Sequence, residues 1–242
     1  MTTVLILGPF ILAWAIAALF YALGRHRARQ LKLDEITFAQ SVQKRLAPLL
    51  MSRPRTWLAI KSRNPEDVAR SIGLKDPQPC ASGNALSKLE QDHLFVSPPV
   101  NGWVIVVGDR LPNPESDIDR CFRFLAETSD RVGHVQYFHG NPTLGHHAWA
   151  KVIEREVARA YVWTGDTTWN QGSTTIAEEK SGMQCFDYFA NDDEESAYKL
   201  WETVRQNVEQ LPLLASIWSV DPVALEEDAF RAKPGWVGRM PV

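Results

Sequence analysis

The hydrophobic pattern divides the chain into three parts. Residues 4–23 (VLILGPFILAWAIAALFYAL) form an apolar run that contains no charged side chain. At about 1.5 Å of rise per residue, such a helix spans roughly 30 Å, the thickness of a bilayer's hydrocarbon core. The pattern therefore predicts a transmembrane helix over residues 4–24. A basic, then amphipathic connector is expected over residues 25–55, and a globular domain over residues 56–242.

The charges that flank the apolar run predict how it is oriented. Four basic residues follow the run, and no acidic residue occurs before Asp34. Basic loops stay on the cytoplasmic side, so the short N-terminus should lie outside and the globular domain in the cytoplasm of a bacterial inner membrane. The residues expected to contact anionic lipid headgroups are Arg25, Arg27, Arg29 and Lys32. Cleaved signal peptides have shorter apolar stretches, of about 7–15 residues, so a retained single-pass anchor is expected.

The first half of the globular part alternates short β-rich runs with helical patterns. Asn64 precedes Pro65 and two acidic residues, which is typical of a capped helix start. Two β-rich runs on either side of Asn101-Gly102 indicate a hairpin. The expected elements are a strand at 56–60, a helix from Asn64 to Gly73, a loop at 76–85, hairpin strands at 93–97 and 103–107, and a helix at 116–128 that turns Ile118, Cys121, Phe122 and Leu125 to the core.

The pattern of the second half predicts consecutive strands followed by a long helix. Strands are expected at 134–138, 148–153, 157–164 and 167–169, joined by short polar turns. A helix at 192–211 should turn Tyr198, Trp201, Val204 and Val208 to one side, before a short helix from Pro212 and a Pro/Gly-rich tail. Strands that are neighbours in sequence, with helices between some of them, predict an α+β fold on a mainly antiparallel sheet.

Charge and cysteine content narrow the function classes. Of the 26 basic and 29 acidic residues, four basic ones precede position 33, which leaves 22 − 29 = −7 for the remainder. An acidic domain repels phosphates, so nucleic-acid binding is not expected. Cys80, Cys121 and Cys185 are widely spaced, and they predict neither a disulfide framework nor a paired-cysteine metal site.

Four histidines raise the hypothesis of a metal site. His134, His139, His146 and His147 lie within 14 residues. Metal ligands must converge at about 2.0–2.1 Å from one ion, whereas adjacent residues of a strand point to opposite faces. We therefore interpret these histidines as hydrogen-bonded or surface residues, and expect neither a metal nor a cofactor.

The remaining polar clusters do not specify a reaction. Glu178-Glu179 and the run at 192–195 could hold a cation, but acidic residues are also favoured at helix starts. The sequence contains no nucleophile elbow and no phosphate-binding glycine loop. An enzymatic role is therefore not the first expectation.

Tryptophan and arginine on neighbouring strands suggest a binding surface. Eight of the nine tryptophans lie outside the apolar run, and most should be core residues. Trp149, Arg159 and Trp163, however, share the composition of protein-binding hot spots. We expect this sheet face to be either a partner surface or ordinary packing.

Five segments between Trp57 and Gly238 resemble a family of uncharacterised bacterial proteins. They are LFVSPPVNGWVIVVG (94–108), VQYF (135–138), HHAWAK (146–151), VARAYVWTGDTTWNQG (157–172) and WSVDP (218–222). The resemblance implies no activity, and it does not extend to the expected anchor. Its shared positions add His147 and Tyr161 to Trp149, Arg159 and Trp163 as the candidate binding surface.

Two functional hypotheses remain open, beside a third possibility, a structural stabiliser of the membrane surface that has neither a partner nor a pocket. The first is a membrane-tethered, non-enzymatic domain that binds another protein, for example an immunity protein or an accessory subunit. The second is an enzyme of unknown reaction with a polar site near His147, Arg159 and Glu178 or Glu179. It requires those groups to share one concave pocket.

Overall fold

The computed structural model describes residues 56–80, 93–186, 194–220 and 234–240. Strands β1–β9 span Thr56–Lys61, Lys75–Cys80, His93–Val96, Trp103–Val107, His134–Asn141, His146–Ile153, Glu156–Trp163, Thr167–Gln171 and Gly235–Arg239. Helices α1–α4 span Pro65–Ser71, Ile118–Val132, Ile176–Lys180 and Glu194–Trp218. The described strands form one sheet in the order β2-β9-β3-β4-β1-β5-β6-β7-β8, and the neighbours pair antiparallel.

The sheet lies between two helical layers. On one face, β1 and β5 pack with α1 and α2 around side chains such as Leu58, Val68 and Leu125. On the other face, the same strands pack with α4 around Trp57, Phe138 and Leu211. This arrangement confirms the predicted α+β fold with a mainly antiparallel sheet.

Local sequence signals account for several elements. The Asn64 side chain accepts a hydrogen bond from the Glu66 backbone N–H at 3.0 Å and so caps α1. Asn101 and Gly102 have φ angles of 51° and 83°, as a two-residue hairpin turn between β3 and β4 requires. The predicted hairpin and the run of strands from β5 to β8 are confirmed.

Three expectations about the elements were wrong. Part of the expected loop at 76–85 is strand β2, which tolerates Pro77 and Pro79 because it lies at the sheet edge. The tail contributes β9, which lies between β2 and β3. The helix continues through Pro212 to Trp218 because Leu211, Leu214 and Ala215 are buried against the sheet.

Two side chains expected on the apolar side of a helix are exposed. Phe122 is 38% exposed and makes an edge-on contact with Trp169 at a centroid distance of 5.6 Å. Trp201 is 60% exposed, although Val204 and Val208 of the same helix are buried. Helical spacing identified the side of each helix that faces the sheet, but not where that side ends.

The described residues contain no helix that is long and apolar enough to cross a membrane. The expected anchor at residues 4–24 and the connector at 25–55, with Arg25, Arg27, Arg29 and Lys32, lie outside the described residues.

Candidate functional site

The candidate binding-surface residues lie together on one face of strands β6 and β7. Trp149 pairs with Tyr161, and His147 pairs with Trp163 across the two strands. The Trp149 and Tyr161 rings lie 4.7 Å apart between centroids, and His147 stacks on Trp149 at 5.7 Å. Arg159 lies on the same strand as Tyr161, two positions earlier in the sequence. The sequence therefore grouped these residues correctly.

The same face is covered, which favours ordinary packing, one of the two alternatives that the sequence left open. Helices α3 and α4 pack over it, and none of the candidate residues is more than 5% exposed. Large aromatic side chains bury extensively when a helix layer lies above them, and the sequence does not reveal which sheet face that layer covers. His147, Trp149, Arg159, Tyr161 and Trp163 are core residues of the described structure.

Arg159 and Glu178 form a buried ion pair at the centre of this face. Glu178 Oε1 accepts hydrogen bonds from Arg159 Nε at 2.8 Å and from Trp149 Nε1 at 2.7 Å. Its Oε2 accepts from the Thr175 backbone N–H and hydroxyl at 2.7 and 2.8 Å. Thr175 and Glu178 are the two ends of the capping box that begins α3. The carboxylate is thus held by the helix start and by the sheet together.

The rest of the Arg159 guanidinium is also hydrogen-bonded. Nη1 donates to Asn170 Oδ1 at 2.8 Å and to the Ala160 carbonyl at 2.9 Å, and Nη2 donates to Cys185 Sγ at 2.9 Å. Burial raises the pKa of the Cys185 thiol to about 12, although the positive charge of Arg159 acts to lower it. A thiol held neutral is a poor nucleophile, so this contact is structural.

His147 is fixed as a neutral imidazole. Its Nδ1 lies 2.9 Å from the Gly145 carbonyl, which can only accept, so Nδ1 carries the proton. Its Nε2 then accepts from Asn207 Nδ2 at 3.1 Å. The Asn207 side chain also accepts a hydrogen bond from the Gln184 backbone N–H and donates one to the Gln184 carbonyl. These two bonds connect α4 to the segment after α3. Burial is the main cause that lowers the pKa of His147 to about 4.

The residues of the enzymatic hypothesis lie in one cluster but do not reach solvent. His147, Arg159 and Glu178 are each at most 1% exposed, and their polar atoms bond to one another or to neighbouring residues. Glu179 points away from this cluster, on the exposed side of α3. The arrangement can stabilise a fold, whereas catalysis would need access for a substrate.

A second polar cluster was missed by sequence reasoning. Glu115 Oε1 accepts from Asn141 Nδ2 at 3.1 Å and lies 3.0 Å from His139 Nε2. His146 Nδ1 is 3.2 Å from the same oxygen, at an angle that does not make a hydrogen bond. The hydrogen bond from His139 is the main cause that lowers the pKa of Glu115 to about 2, in spite of partial burial. Glu115 lies far from these strands in sequence, and no local pattern marks it.

This second cluster contains a hydroxyl–imidazole–carboxylate chain. Thr56 Oγ1 lies 2.8 Å from His139 Nδ1, and Glu115 lies at the opposite ring nitrogen. Nucleophile, base and orienting acid follow this order in hydrolases. Thr56 is only 6% exposed, however, and it therefore serves here as a hydrogen-bond partner rather than an accessible nucleophile.

A metal site at these histidines would need several ligands that converge on one ion. Across the described ranges, no group of three or more His, Cys, Asp or Glu side chains is arranged to hold a metal ion. His139 and His146 share Glu115, His147 lies in the other cluster, and His134 lies further along β5.

An exposed apolar pair lies at the corner where the β5–β6 turn meets α4. Leu144 is 51% exposed and Trp201 is 60% exposed. Gly145, the neighbour of Leu144, lies so close to α4 that an added Cβ would be 3.5 Å from the Trp201 ring and 2.5 Å from Val204. We call Leu144 and Trp201 the corner patch. The sequence had placed Trp201 on the same side of the helix as Val204 and Val208.

Comparison with protein-family models, with curated proteins and with solved structures returned no match for this chain.

Proposed function

We propose that this chain is a membrane-tethered, non-enzymatic domain that binds another protein at the cytoplasmic face of a bacterial inner membrane. An immunity protein or an accessory subunit of a membrane assembly is the concrete form of this proposal. The observation that carries it is the corner patch, in which Leu144 and Trp201 are exposed. The polar groups of the enzymatic hypothesis are instead buried and bonded to one another.

The corner patch has the chemistry of an interface anchor. Tryptophan is enriched among residues that contribute most to binding, because its large ring fills a pocket at little entropic cost. Glu202 and Glu209 lie on the exposed side of the same helix, and Arg205 is paired with Glu209 at 3.3 Å. The soluble part as a whole is acidic. The partner surface should therefore offer an apolar pocket with basic residues around it.

Photo-crosslinking from position 201 tests the partner proposal. A benzoylphenylalanine residue in place of Trp201 should give one defined adduct with a partner protein in the host cell. The matched control carries the same residue in place of Ile176, which is 69% exposed on a different helix. With the partner purified, Trp201→Ala should weaken binding by about 2 kcal/mol or more, roughly 30-fold, and Ile176→Ala should have little effect. Equal adducts at the two positions, or none at either, would contradict the proposal.

The tether is proposed from residues 4–24 and the basic residues after them. We also propose that the soluble part belongs to the family that it resembles. This resemblance implies no activity. We expect the full chain to stay in the membrane pellet after alkaline washing, and a variant without residues 2–24 to be released. Protease added outside intact spheroplasts should leave the globular part whole. Digestion from outside, or a mature chain that begins beyond Gly24, would overturn the assigned orientation.

A further inference from the structure

The β5–β6 turn, which carries Leu144 of the corner patch, is supported by side chains at its base. Asn141, the last residue of β5, accepts hydrogen bonds through its Oδ1 from the backbone N–H groups of Thr143 and Leu144, at 3.2 and 3.3 Å. Asparagine often stabilises a turn by such bonds to its own backbone. The Asn141 Nδ2 donates in turn to Glu115 Oε1 at 3.1 Å. Glu115 therefore supports Leu144 through Asn141.

Glu115 is itself fixed in the loop that precedes α2. Its backbone N–H donates to Asn113 Oδ1 at 2.9 Å. The buried Tyr137 hydroxyl donates to the Pro112 carbonyl at 2.9 Å, which attaches this loop to β5. The carboxylate also stays charged, because the hydrogen bond from His139 is the main cause that lowers its pKa to about 2. The loop thus presents a fixed negative charge to the base of the turn.

His146 lies on the β6 side of the turn and faces this charge without bonding to it. Its Nδ1 is buried, lies 3.2 Å from Glu115 Oε1 and has no hydrogen-bond partner. The distance is within the range of a hydrogen bond, so the angle alone prevents one. Buried polar atoms are almost always paired, and an unpaired nitrogen beside a carboxylate is a group that one added proton would satisfy.

Protonation of His146 would convert this contact into an ion-paired hydrogen bond. A neutral imidazole has one N–H donor, whereas a charged imidazolium donates from both nitrogens, so Nδ1 then carries a proton. Attraction to the carboxylate favours the small ring rotation that aligns the bond. His139 differs, because Glu115 lies at its Nε2 and Thr56 Oγ1 lies 2.8 Å from its Nδ1. Both nitrogens of His139 therefore have partners already.

The carboxylate of Glu115 is the charge that determines how His146 responds to a proton. In the described part of the chain, the titratable side chains around His146 are Glu115, His139 and His147. His147 stays neutral near pH 7 because burial lowers its pKa to about 4. His139 shares the carboxylate with His146. Helix α4 packs against the neighbouring Gly145 with apolar side chains, so it adds no charge there.

We propose that a proton on His146 locks the β5–β6 turn to Glu115 and thereby strengthens partner binding at the corner patch. Asn141 holds the β5 side of the turn and His146 the β6 side, both to one carboxylate, with Leu144 between them. A turn that is ordered before binding loses less conformational entropy when the partner binds. This inference rests on the proposed function, because it describes how the same patch is regulated.

Amide exchange in the detergent-solubilised full-length protein tests the lock without a partner. The protection factor of the Leu144 amide should be about tenfold higher at about pH 5.5 than at about pH 7.5, because a charged hydrogen bond then opposes local opening. In His146→Gln, the protection factors at the two pH values should be equal. The matched control is His134→Gln on β5. Burial lowers the pKa of His134 to about 4, so this variant should keep the full response.

Glu115→Gln is a second variant, which keeps an acceptor for Asn141 but removes the charge. It should abolish the response to pH even if His146→Gln does not fold. With the partner purified, the affinity of the wild type should rise several-fold over the same pH change, and that of Glu115→Gln should stay constant. A Leu144 response that persists in either variant, or a constant wild-type affinity, would overturn the inference. Absence of a crosslinked partner at Trp201 would contradict the proposed function alone, since the exchange experiment needs no partner.

Discussion

Replacing Glu178 with alanine is expected to destabilise the globular part by about 3–5 kcal/mol, because it leaves a buried arginine unpaired. Arg159 is 1% exposed and loses its charged partner, and Trp149 Nε1 loses its acceptor. The Thr175 end of α3 also loses its capping carboxylate. Water does not reach these groups, so no solvent contact compensates for the lost bonds.

Urea unfolding followed by tryptophan fluorescence measures this effect, and Glu179 provides the control. Glu179→Ala removes the same charge one position along the same helix, where the side chain is exposed, and should cost less than about 0.5 kcal/mol. In the double variant Arg159→Met with Glu178→Leu, both charges are gone, so the part of the loss that is due to the unpaired arginine should return, whereas Trp149 Nε1 and the Thr175 cap still lack their acceptor. A loss below about 1 kcal/mol for Glu178→Ala would show that the ion pair does not hold this face together.

The parts of the fold that the sequence predicted are those determined by local chemistry. The Asn64 cap and the Asn101-Gly102 turn depend on residues within a few positions of each other. The consecutive strands from β5 to β8 are joined by short turns, so their order in the sheet follows their order in sequence. Prediction failed where distant segments meet. β9 enters the sheet between β2 and β3, more than a hundred residues from either.

The sequence predicted which residues of the candidate site lie together, but it did not predict that they are buried. Alternation along two adjacent strands places His147, Trp149 and Tyr161 on one face, and the structure confirms that grouping. Only long-range packing decides that α4 covers this face, and Pro212 had suggested that the helix stops early. One local signal could have linked Glu178 to the fold, since Thr175-x-x-Glu178 is a capping-box sequence. Glu115 had no such signal.

Acidification is expected to remove a contribution of about 3 kcal/mol that His147 makes to stability. Burial lowers its pKa from 6.5 to about 4 in the folded protein, whereas the unfolded chain keeps the ordinary value. The unfolded state therefore binds a proton first as the pH falls. The contribution is complete above pH 6.5 and is lost between pH 6.5 and pH 4, at about 1.4 kcal/mol per unit of pKa difference.

Comparison with His147→Gln isolates this contribution from other acid-sensitive groups. Glutamine does not titrate, so the variant should be less stable at pH 7 but should lose less stability than the wild type between pH 6.5 and pH 4. His134 has a similarly lowered pKa, so only the difference between the two proteins measures His147. Nitrogen NMR of the His147 ring gives its pKa and tautomer directly. A pKa near 7 would contradict the structural role and favour the enzymatic hypothesis, since a general base works best with a pKa close to the operating pH.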